Sequence, residues 1–96
     1  MAAFDPLIHQ PARLRIMATL AAVEEDAEVD FSYLRELLDL TDGNLGAHLA
    51  KLEGAGYLKQ HKTFVDRKPK TYIRRTRRGK FAYDEHVEAL KEIVDQ

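Results

Sequence analysis

Two short runs of strand-forming residues in the second half of the chain limit the folds that it can adopt. Residues 57–65 are rich in aromatic and β-branched side chains, and residues 71–73 resume that character after a charged break. The break, residues 66–70, contains a proline and is predicted to be a hairpin tip. Val29 and Phe31 alternate with polar residues and predict one further, very short strand. The chain therefore has no room for a long parallel sheet or a nucleotide-binding crossover.

Two helices are predicted in the first 40 residues of the chain. The first covers about residues 11–23, because it starts with a proline and apolar residues then recur at helical spacing. Ser32 is predicted to cap the second helix, with Leu34, Leu37 and Leu38 on its buried face. The resulting order begins helix, short strand, helix.

Two more helices flank the hairpin on either side. Thr41 is predicted to cap a helix that runs to about Ala55, with Gly56 as its left-handed terminator. Thr76 is predicted to cap the last helix, over about residues 77–95. With 96 residues and this element order, the chain is expected to form a single domain, 1–96.

The positive charge of the chain is concentrated in one segment. The net charge is only −1, yet residues 59–80 contain ten Lys and Arg and a single acidic residue. Residues 1–58 and 81–96 are both acidic. Such segregation is typical of a protein that binds a polyanion. The alternative is that the basic segment pairs with the acidic segments of its own chain or of a second subunit.

The helix predicted over 42–55 has two distinct faces. Leu45, Leu49 and Leu52 form an apolar face, and the opposite face has small, hydrogen-bonding and cationic side chains. Such a stripe suits a helix in the DNA major groove, and glycines would let the backbone come close to DNA. The alternative is an ordinary solvent-exposed face. The side chains on this stripe are Asn44, Ala47, His48 and Lys51, and the two glycines are Gly43 and Gly46.

The hairpin and the start of the last helix supply further candidate DNA contacts. Lys59, Lys62, Arg67, Lys68 and Lys70 lie on the hairpin or its tip and could follow phosphates or enter a minor groove. An ordinary charged hairpin is the alternative. Arg77 and Arg78 fall in the first turn of a helix, where the macrodipole disfavours cations. We expect a phosphate, or the acidic segment Glu24–Glu28 of a partner subunit, to compensate them.

Composition excludes several other classes of protein. There is no cysteine, so disulfides and thiolate metal sites are excluded. No signal-peptide pattern and no apolar stretch of membrane-spanning length occur, so a cytoplasmic protein without a membrane partner is expected. No catalytic motif is found, and neither an enzyme nor a cofactor is predicted. Asp84, Glu85 and His86 faintly resemble part of a metal-sensor site, but a surface histidine and no metal are expected.

Three stretches resemble the winged-helix regulators of the MarR/ArsR superfamily, most closely its short, single-domain winged helix DNA-binding members. Residues 7–17 resemble the opening helix, and residues 31–58 resemble the helix-turn-helix. Residues 69–73, followed by Thr76 and Gly79, resemble the return strand of the wing and the start of the last helix. The resemblance covers about residues 7–82.

The resemblance implies a mainly α, small α+β winged helix-turn-helix of order α-β-α-α-β-β-α. The helix-turn-helix would cover about 32–55, the wing about 57–75, and a C-terminal dimerisation helix about 77–95. It also implies a homodimeric transcriptional regulator of double-stranded DNA, with Ser32 and Tyr33 near phosphates and Gly43 facing the groove together with the stripe on the helix over 42–55. Arg75 departs from the family, which often has an apolar residue there, and makes this region more basic.

Dimerisation is also expected from apolar residues that one small domain cannot all bury. The dimer would bind a palindromic or pseudo-palindromic site, and a small-molecule effector could bind between the first and last helices. The alternative function is a winged-helix protein-interaction module within a larger transcription or signalling assembly. The interface candidates are Phe4, Leu7, Ile8, Tyr83, Val87, Leu90 and Val94.

Overall fold

A computed structural model describes all 96 residues, Met1–Gln96. It contains five helices and a three-stranded antiparallel sheet, which confirms the predicted winged helix-turn-helix. A one-turn helix at the start of the chain was not predicted. No helix combines the length and the apolar composition that a membrane crossing requires. The elements are α1 (Pro6–His9), α2 (Pro11–Ala22), β1 (Val29–Asp30), α3 (Phe31–Leu38), α4 (Asp42–Gly54), β2 (Leu58–Val65), β3 (Lys68–Arg75) and α5 (Arg77–Val94).

The sheet has the order β1-β3-β2 and places the hairpin beside the helices. β2 and β3 pair from Leu58 opposite Arg75 to Val65 opposite Lys68. Only Asp66 and Arg67 lie between the strands, so the tip predicted over 66–70 was too long. β1 pairs only with Tyr72 and Ile73 of β3, so β3 has a free edge at Pro69. A free strand edge tolerates the missing N–H of proline.

One apolar core joins the helices to the base of the sheet. The leucines predicted to line the inner face of α4 are all fully buried. Burial of these side chains supplies the main stabilising free energy of the domain. The core residues are Ile8, Ile16, Met17, Leu20, Val29, Leu34, Leu38, Leu45, Leu49, Leu52, Leu58 and Ile73.

The start of α3 differs from the prediction. Asp30, not Ser32, is the N-cap, because its Oδ1 accepts hydrogen bonds from the N–H of Ser32 at 2.7 Å and of Tyr33 at 3.4 Å. The helix consequently begins at Phe31, which was predicted to be in the strand. Leu37, predicted to be buried, is 47% exposed, since the short inner face of α3 is filled by the residues at positions 34 and 38.

The N-terminus of α5 is packed tightly against the chain that follows α4. Thr76 caps the helix as predicted: its Oγ1 accepts from the N–H of Gly79 at 3.0 Å and donates to the carbonyl of Gly56 at 2.6 Å. The Thr76 N–H donates to the Tyr57 carbonyl at 3.1 Å. A Cβ at Gly79 would lie 1.9 Å from that same carbonyl oxygen. Gly56 has a φ of 81°, which confirms its predicted left-handed conformation.

His86 is fully buried, which corrects its expected place on the surface. Its Nδ1 accepts the N–H of Asp5 at 3.0 Å, and its Nε2 lies 3.2 Å from Nδ1 of His9. The Phe4 ring packs against both imidazoles, with centroids 4.7 and 4.8 Å away. The sequence could not show this, because the partners are about 80 residues away along the chain. The chain has no group of three acidic or histidine side chains placed to hold a metal.

Replacement of Gly79 by alanine is expected to lower the free energy of unfolding by about 3 kcal/mol, because the new methyl group collides with a backbone carbonyl. Gly46→Ala is the matched control. Nothing lies within 4 Å of a Cβ there, so alanine should stabilise the helix by up to about 1 kcal/mol. Urea unfolding followed by circular dichroism measures both changes. Equal stability of the two variants would contradict the tight packing at Gly79.

Acid is expected to destabilise the fold through His86. Burial lowers the pKa of His86, and the neighbouring charge of His9 lowers it further against the opposing effect of Asp5. The unfolded chain then binds more protons than the folded chain just below pH 6.5, the usual pKa of histidine. The free energy of unfolding should therefore be highest above pH 6.5 and fall as the pH drops toward the folded-state pKa.

Urea unfolding between pH 8 and pH 5 measures this dependence. His86→Gln should flatten it, and the remaining slope should include His48, whose pKa is also lowered by burial and by the charges of Arg13 and Lys51. An unchanged slope in His86→Gln would show that His86 does not carry the effect.

Candidate nucleic-acid interface

A short turn fixes α4 against α3. Asp39 adopts the left-handed conformation with a φ of 53°, and its N–H donates to the carbonyls of Arg35 and Glu36. Thr41 then caps α4 by accepting the Asn44 N–H at 3.1 Å, as predicted. The Arg35 guanidinium also donates to Asp42 at 2.7 Å across the turn. These bonds hold the two helices in the fixed geometry that a helix-turn-helix requires.

The outer face of α4 lies where the sequence predicted it. Gly43, Asn44, Ala47 and Lys51 are exposed, and His48 is half-buried at the edge of the stripe. An exposed asparagine can pair with adenine through two atoms, and alanine can contact a thymine methyl group. The arrangement therefore offers a small reading surface with a single full positive charge.

The contact with Arg13, a residue that the sequence interpretation did not select, defines the tautomer of the neutral His48 ring. A guanidinium can only donate, so the 3.2 Å contact between Arg13 Nη1 and His48 Nδ1 makes that nitrogen an acceptor. The neutral ring therefore carries its proton on Nε2. Arg13 is itself fixed, because its Nε donates to the carbonyl of Leu7 at 2.6 Å. The Nε2–H of His48 is left as a hydrogen-bond donor suited to an acceptor on a base edge.

The tip of the wing, the β2–β3 hairpin, turns sharply on two residues. Asp66 and Arg67 have φ values of 51° and 66°, which belong to the two-residue turns that match the twist of a hairpin. Neither residue is glycine, so each conformation costs roughly 1–2 kcal/mol. Arg67 stands at the end of the tip and Lys68 begins β3, and both are exposed.

Acidic residues between α2 and α3 pair with part of the basic segment. Lys70 donates to Asp30 at 2.6 Å, a hydrogen bond that lowers the pKa of the Asp30 carboxyl and raises that of the Lys70 ammonium. His61 lies 3.3 Å from Glu28. Lys70 was predicted to form the wing tip, but it instead joins β3 to the cap of α3. The alternative of internal pairing thus describes part of the basic segment.

Arg77 and Arg78, whose positive charges are disfavoured in the first turn of α5, also have partners in the same chain. Arg77, which is almost fully exposed, lies 3.3 Å from Glu25, so its compensating acid belongs to its own subunit. Such an exposed pair contributes little to stability. The Arg78 guanidinium lies over the Tyr57 ring at 6.0 Å. Arg75 donates to the carbonyls of Leu20 and Val23 at the end of α2.

Arg75 was expected to add to a basic DNA-binding surface, and the structure assigns it a different use. Its guanidinium satisfies carbonyls that the last turn of α2 leaves without partners. Other cations form no ion pair with a carboxylate of the chain. On α4 and the wing these are Lys51, Lys59, Lys62, Arg67, Lys68 and Arg74.

Ser32 and Tyr33, which the resemblance placed near phosphates, lie exposed in the first turn of α3. Their backbone N–H groups already donate to Asp30. Only their hydroxyl groups therefore remain to meet a phosphate.

The residues expected at a dimer interface differ in exposure. Ile8 is fully buried in the core of its own chain, so its side chain is not available to a second subunit. Phe4 is 44% exposed and Val94 is 78% exposed. The remaining candidates, which are half-buried, are Leu7, Tyr83, Val87 and Leu90.

Residues 12–94 match a family described as the winged helix DNA-binding domain. The chain belongs to this family, and its resemblance to the winged-helix regulators is confirmed. An uncharacterized protein of Methanocaldococcus jannaschii is 33% identical over 87 residues, which are 91% of each chain.

Two solved structures of regulators share the fold. The structure of a transcriptional regulator homologue from Pyrococcus horikoshii is 34% identical and has a TM-score of 0.83, covering 93% of this chain and 85% of that one. FabT of Streptococcus pneumoniae, solved in complex with DNA, is 22% identical with a TM-score of 0.60, covering 93% of this chain and 64% of FabT. At that identity, FabT is similar to this chain in fold alone.

Proposed function

We propose that this chain is a transcriptional regulator that binds specific double-stranded DNA as a homodimer in the cytoplasm. In this proposal α4 lies in the major groove, and the wing contacts the backbone or the minor groove. The observation that supports it most is the combination of an exposed polar stripe on α4 with cations on the wing that have no acidic partner. The family and the similarity to the Pyrococcus horikoshii regulator homologue support the DNA-binding part of this proposal.

The proposed contacts divide into two groups with different tasks. Asn44, Ala47 and His48 would read base edges, and Gly43 would permit close approach of the helix backbone. The sparse reading stripe leaves most of the affinity to phosphate contacts. In this proposal Lys70 acts mainly by holding β3, whereas a phosphate would displace Glu25 from its exposed pair with Arg77. The phosphate contacts come from Ser32, Tyr33, Lys51, Lys62, Arg67, Lys68 and Arg77.

The homodimer would be formed by α5 and the N-terminal segment. The last six residues of the chain are all exposed, and Ile93 and Val94 place 54% and 78% of their surfaces in water. Val94 lies on the same side of α5 as the half-buried candidates Tyr83, Val87 and Leu90. A second copy that covers this apolar surface would remove it from water and place two α4 helices on half-sites about 34 Å apart.

A small-molecule effector, if the dimer uses one, has a place to bind beside the same surface. Phe4, Tyr57, Phe81 and Ala82 line an open groove between the N-terminal segment and α5, with Arg78 at its edge. We propose this groove for an effector with an apolar body, because most of the lining is apolar. Its charged residues are Arg78, Asp5 and Glu85, so the lining does not select an anionic effector.

The DNA-binding proposal predicts affinity that falls steeply with salt. Each phosphate contact adds about 0.9 to the slope of log affinity against log salt concentration. Lys62→Ala and Arg67→Ala should each reduce the slope by about 1 per subunit. Lys91→Ala is the control, since Lys91 pairs with Glu88 on α5 and should leave the slope unchanged. Fluorescence anisotropy with a duplex selected from random-sequence DNA measures the slopes.

A protein-interaction module would give a different result in the same experiment. The chain would then show weak DNA binding with little dependence on salt. Equal slopes for Lys62→Ala, Arg67→Ala and Lys91→Ala would also contradict the proposed role of the wing.

The dimer is expected to be visible by sedimentation at micromolar concentration. Val94→Glu should shift the chain toward monomer, because it places a charge in the proposed apolar interface. Val65→Glu is the matched control, since Val65 is 41% exposed on the wing and lies outside that interface. A monomeric wild-type chain, or equal sedimentation of both variants, would overturn the homodimer.

A further inference from the structure

The outer part of the wing, beyond His61, projects from the body of the domain and is called the arm below. β2 and β3 have eight residues each, but only Leu58 and Ile73 of the two strands are buried. With about 3.3 Å per strand residue, the part beyond His61 projects roughly 15 Å. An arm of this kind contributes little to the core. Its outer residues are therefore free to serve a contact with another molecule.

The side chains on this arm are not those of an ordinary solvated hairpin. Phe64 is 73% exposed, more than any other aromatic residue of the chain. Pro69 lies directly opposite it on β3, so the two form an apolar pair close to the tip. Successive side chains of a strand point to opposite faces of the sheet, and residues paired across two strands share a face. Phe64 and Pro69 therefore lie on the same face as Leu58 and Ile73. Exposed apolar surface of this kind commonly marks a binding site.

The acids of the chain pair with only part of the positive charge on the wing. His61 and Lys70 belong to the opposite face, and they are the residues that pair with Glu28 and Asp30. Lys62, two positions before Phe64 and on its face, has no carboxylate partner. Arg67 at the tip and Lys68 on the opposite face also have no carboxylate partner, so positive charge that could attract a polyanion lies on both sides of the apolar pair. The partner of the Phe64 face is therefore expected to be anionic and to contain apolar surface.

Double-stranded DNA offers that combination in its minor groove. Proteins that bend DNA often insert Phe, Leu, Ile, Met or Pro between base steps from this groove, with cations on the flanking phosphates. We propose that Phe64, backed by Pro69, inserts as an apolar wedge into the minor groove beside the site read by α4. Lys62, Arg67 and Lys68 hold the flanking phosphates. This inference rests on the proposed DNA-binding function.

The wedge gives the protein a source of specificity that does not require base-edge hydrogen bonds. Pyrimidine–purine steps unstack more readily than other steps, so a wedge favours sites that place such a step under the wing. This would complement the sparse reading stripe of α4. The bound DNA should therefore be bent, and the preferred flanking sequence should contain TA or CA steps.

The test compares Phe64→Ala and Phe64→Leu with Val65→Ala, a matched control one residue away on the opposite face. The probe is a duplex selected from random-sequence DNA by the wild-type chain. Bending is measured by circular-permutation gel shifts, and unstacking by the fluorescence of 2-aminopurine placed under the wing. Phe64 is exposed, so its variants should fold, which circular dichroism verifies.

Phe64→Ala is expected to lower affinity about fivefold to a hundredfold, the range found when a stacked aromatic side chain is removed. It should also reduce the bend and the preference for the flanking step, while the salt slope stays unchanged because no charge is lost. Phe64→Leu should retain most of the bend. Lys62→Ala should show the converse, a lower slope with the bend retained.

Two results separate the wedge from the function on which it rests. If the wild-type chain binds DNA with a steep salt slope and Phe64→Ala binds and bends it equally, the wedge is overturned and DNA binding stands. If the wild-type chain has no affinity for DNA, both are overturned. A loss of equal size in Val65→Ala would show a general effect of the hairpin and would also overturn the wedge.

Discussion

Tyr57, the residue after the left-handed turn at Gly56, connects four parts of the domain. The backbone carbonyl of Tyr57 accepts the Thr76 N–H at the start of α5 and packs against Gly79. The Tyr57 hydroxyl donates to Oδ2 of Asp5 at 2.5 Å, and this hydrogen bond raises the pKa of the Tyr57 phenol. The end of α4, the base of the wing, the start of α5 and the N-terminus thus meet at one residue. The relative position of helix and wing depends on this junction.

The charges of the chain are arranged as selectively as its core. Acids between α2 and α3 pair with Arg77, His61 and Lys70, and so compensate part of the basic segment. Arg75 is directed inward to the end of α2. Most of the cations that have no carboxylate partner lie on α4 and the wing. A chain with a net charge of −1 can therefore present a cationic surface to DNA without carrying an overall positive charge.

Local patterns were enough to predict most elements. The caps at Thr41 and Thr76, the turn at Gly56 and the inner face of α4 depend on residues within a few positions of one another, and all were confirmed. Errors arose where two local signals competed. The carboxylate of Asp30, rather than the side chain of Ser32, accepts the first N–H groups of α3. Strand pairing extends past Pro69 because the free edge of a strand tolerates proline.

The sequence by itself determined the order of elements, the two faces of α4 and the concentration of positive charge in residues 59–80. These follow from periodicity and composition, which short-range geometry dictates. Only the tertiary structure decided which of those charges are free, since their partners are distant along the chain. It also buried His86 beneath Phe4 and left Phe64 exposed. The sequence shows which residues are apolar, but only the packing of the whole chain decides which apolar side chains are exposed to water.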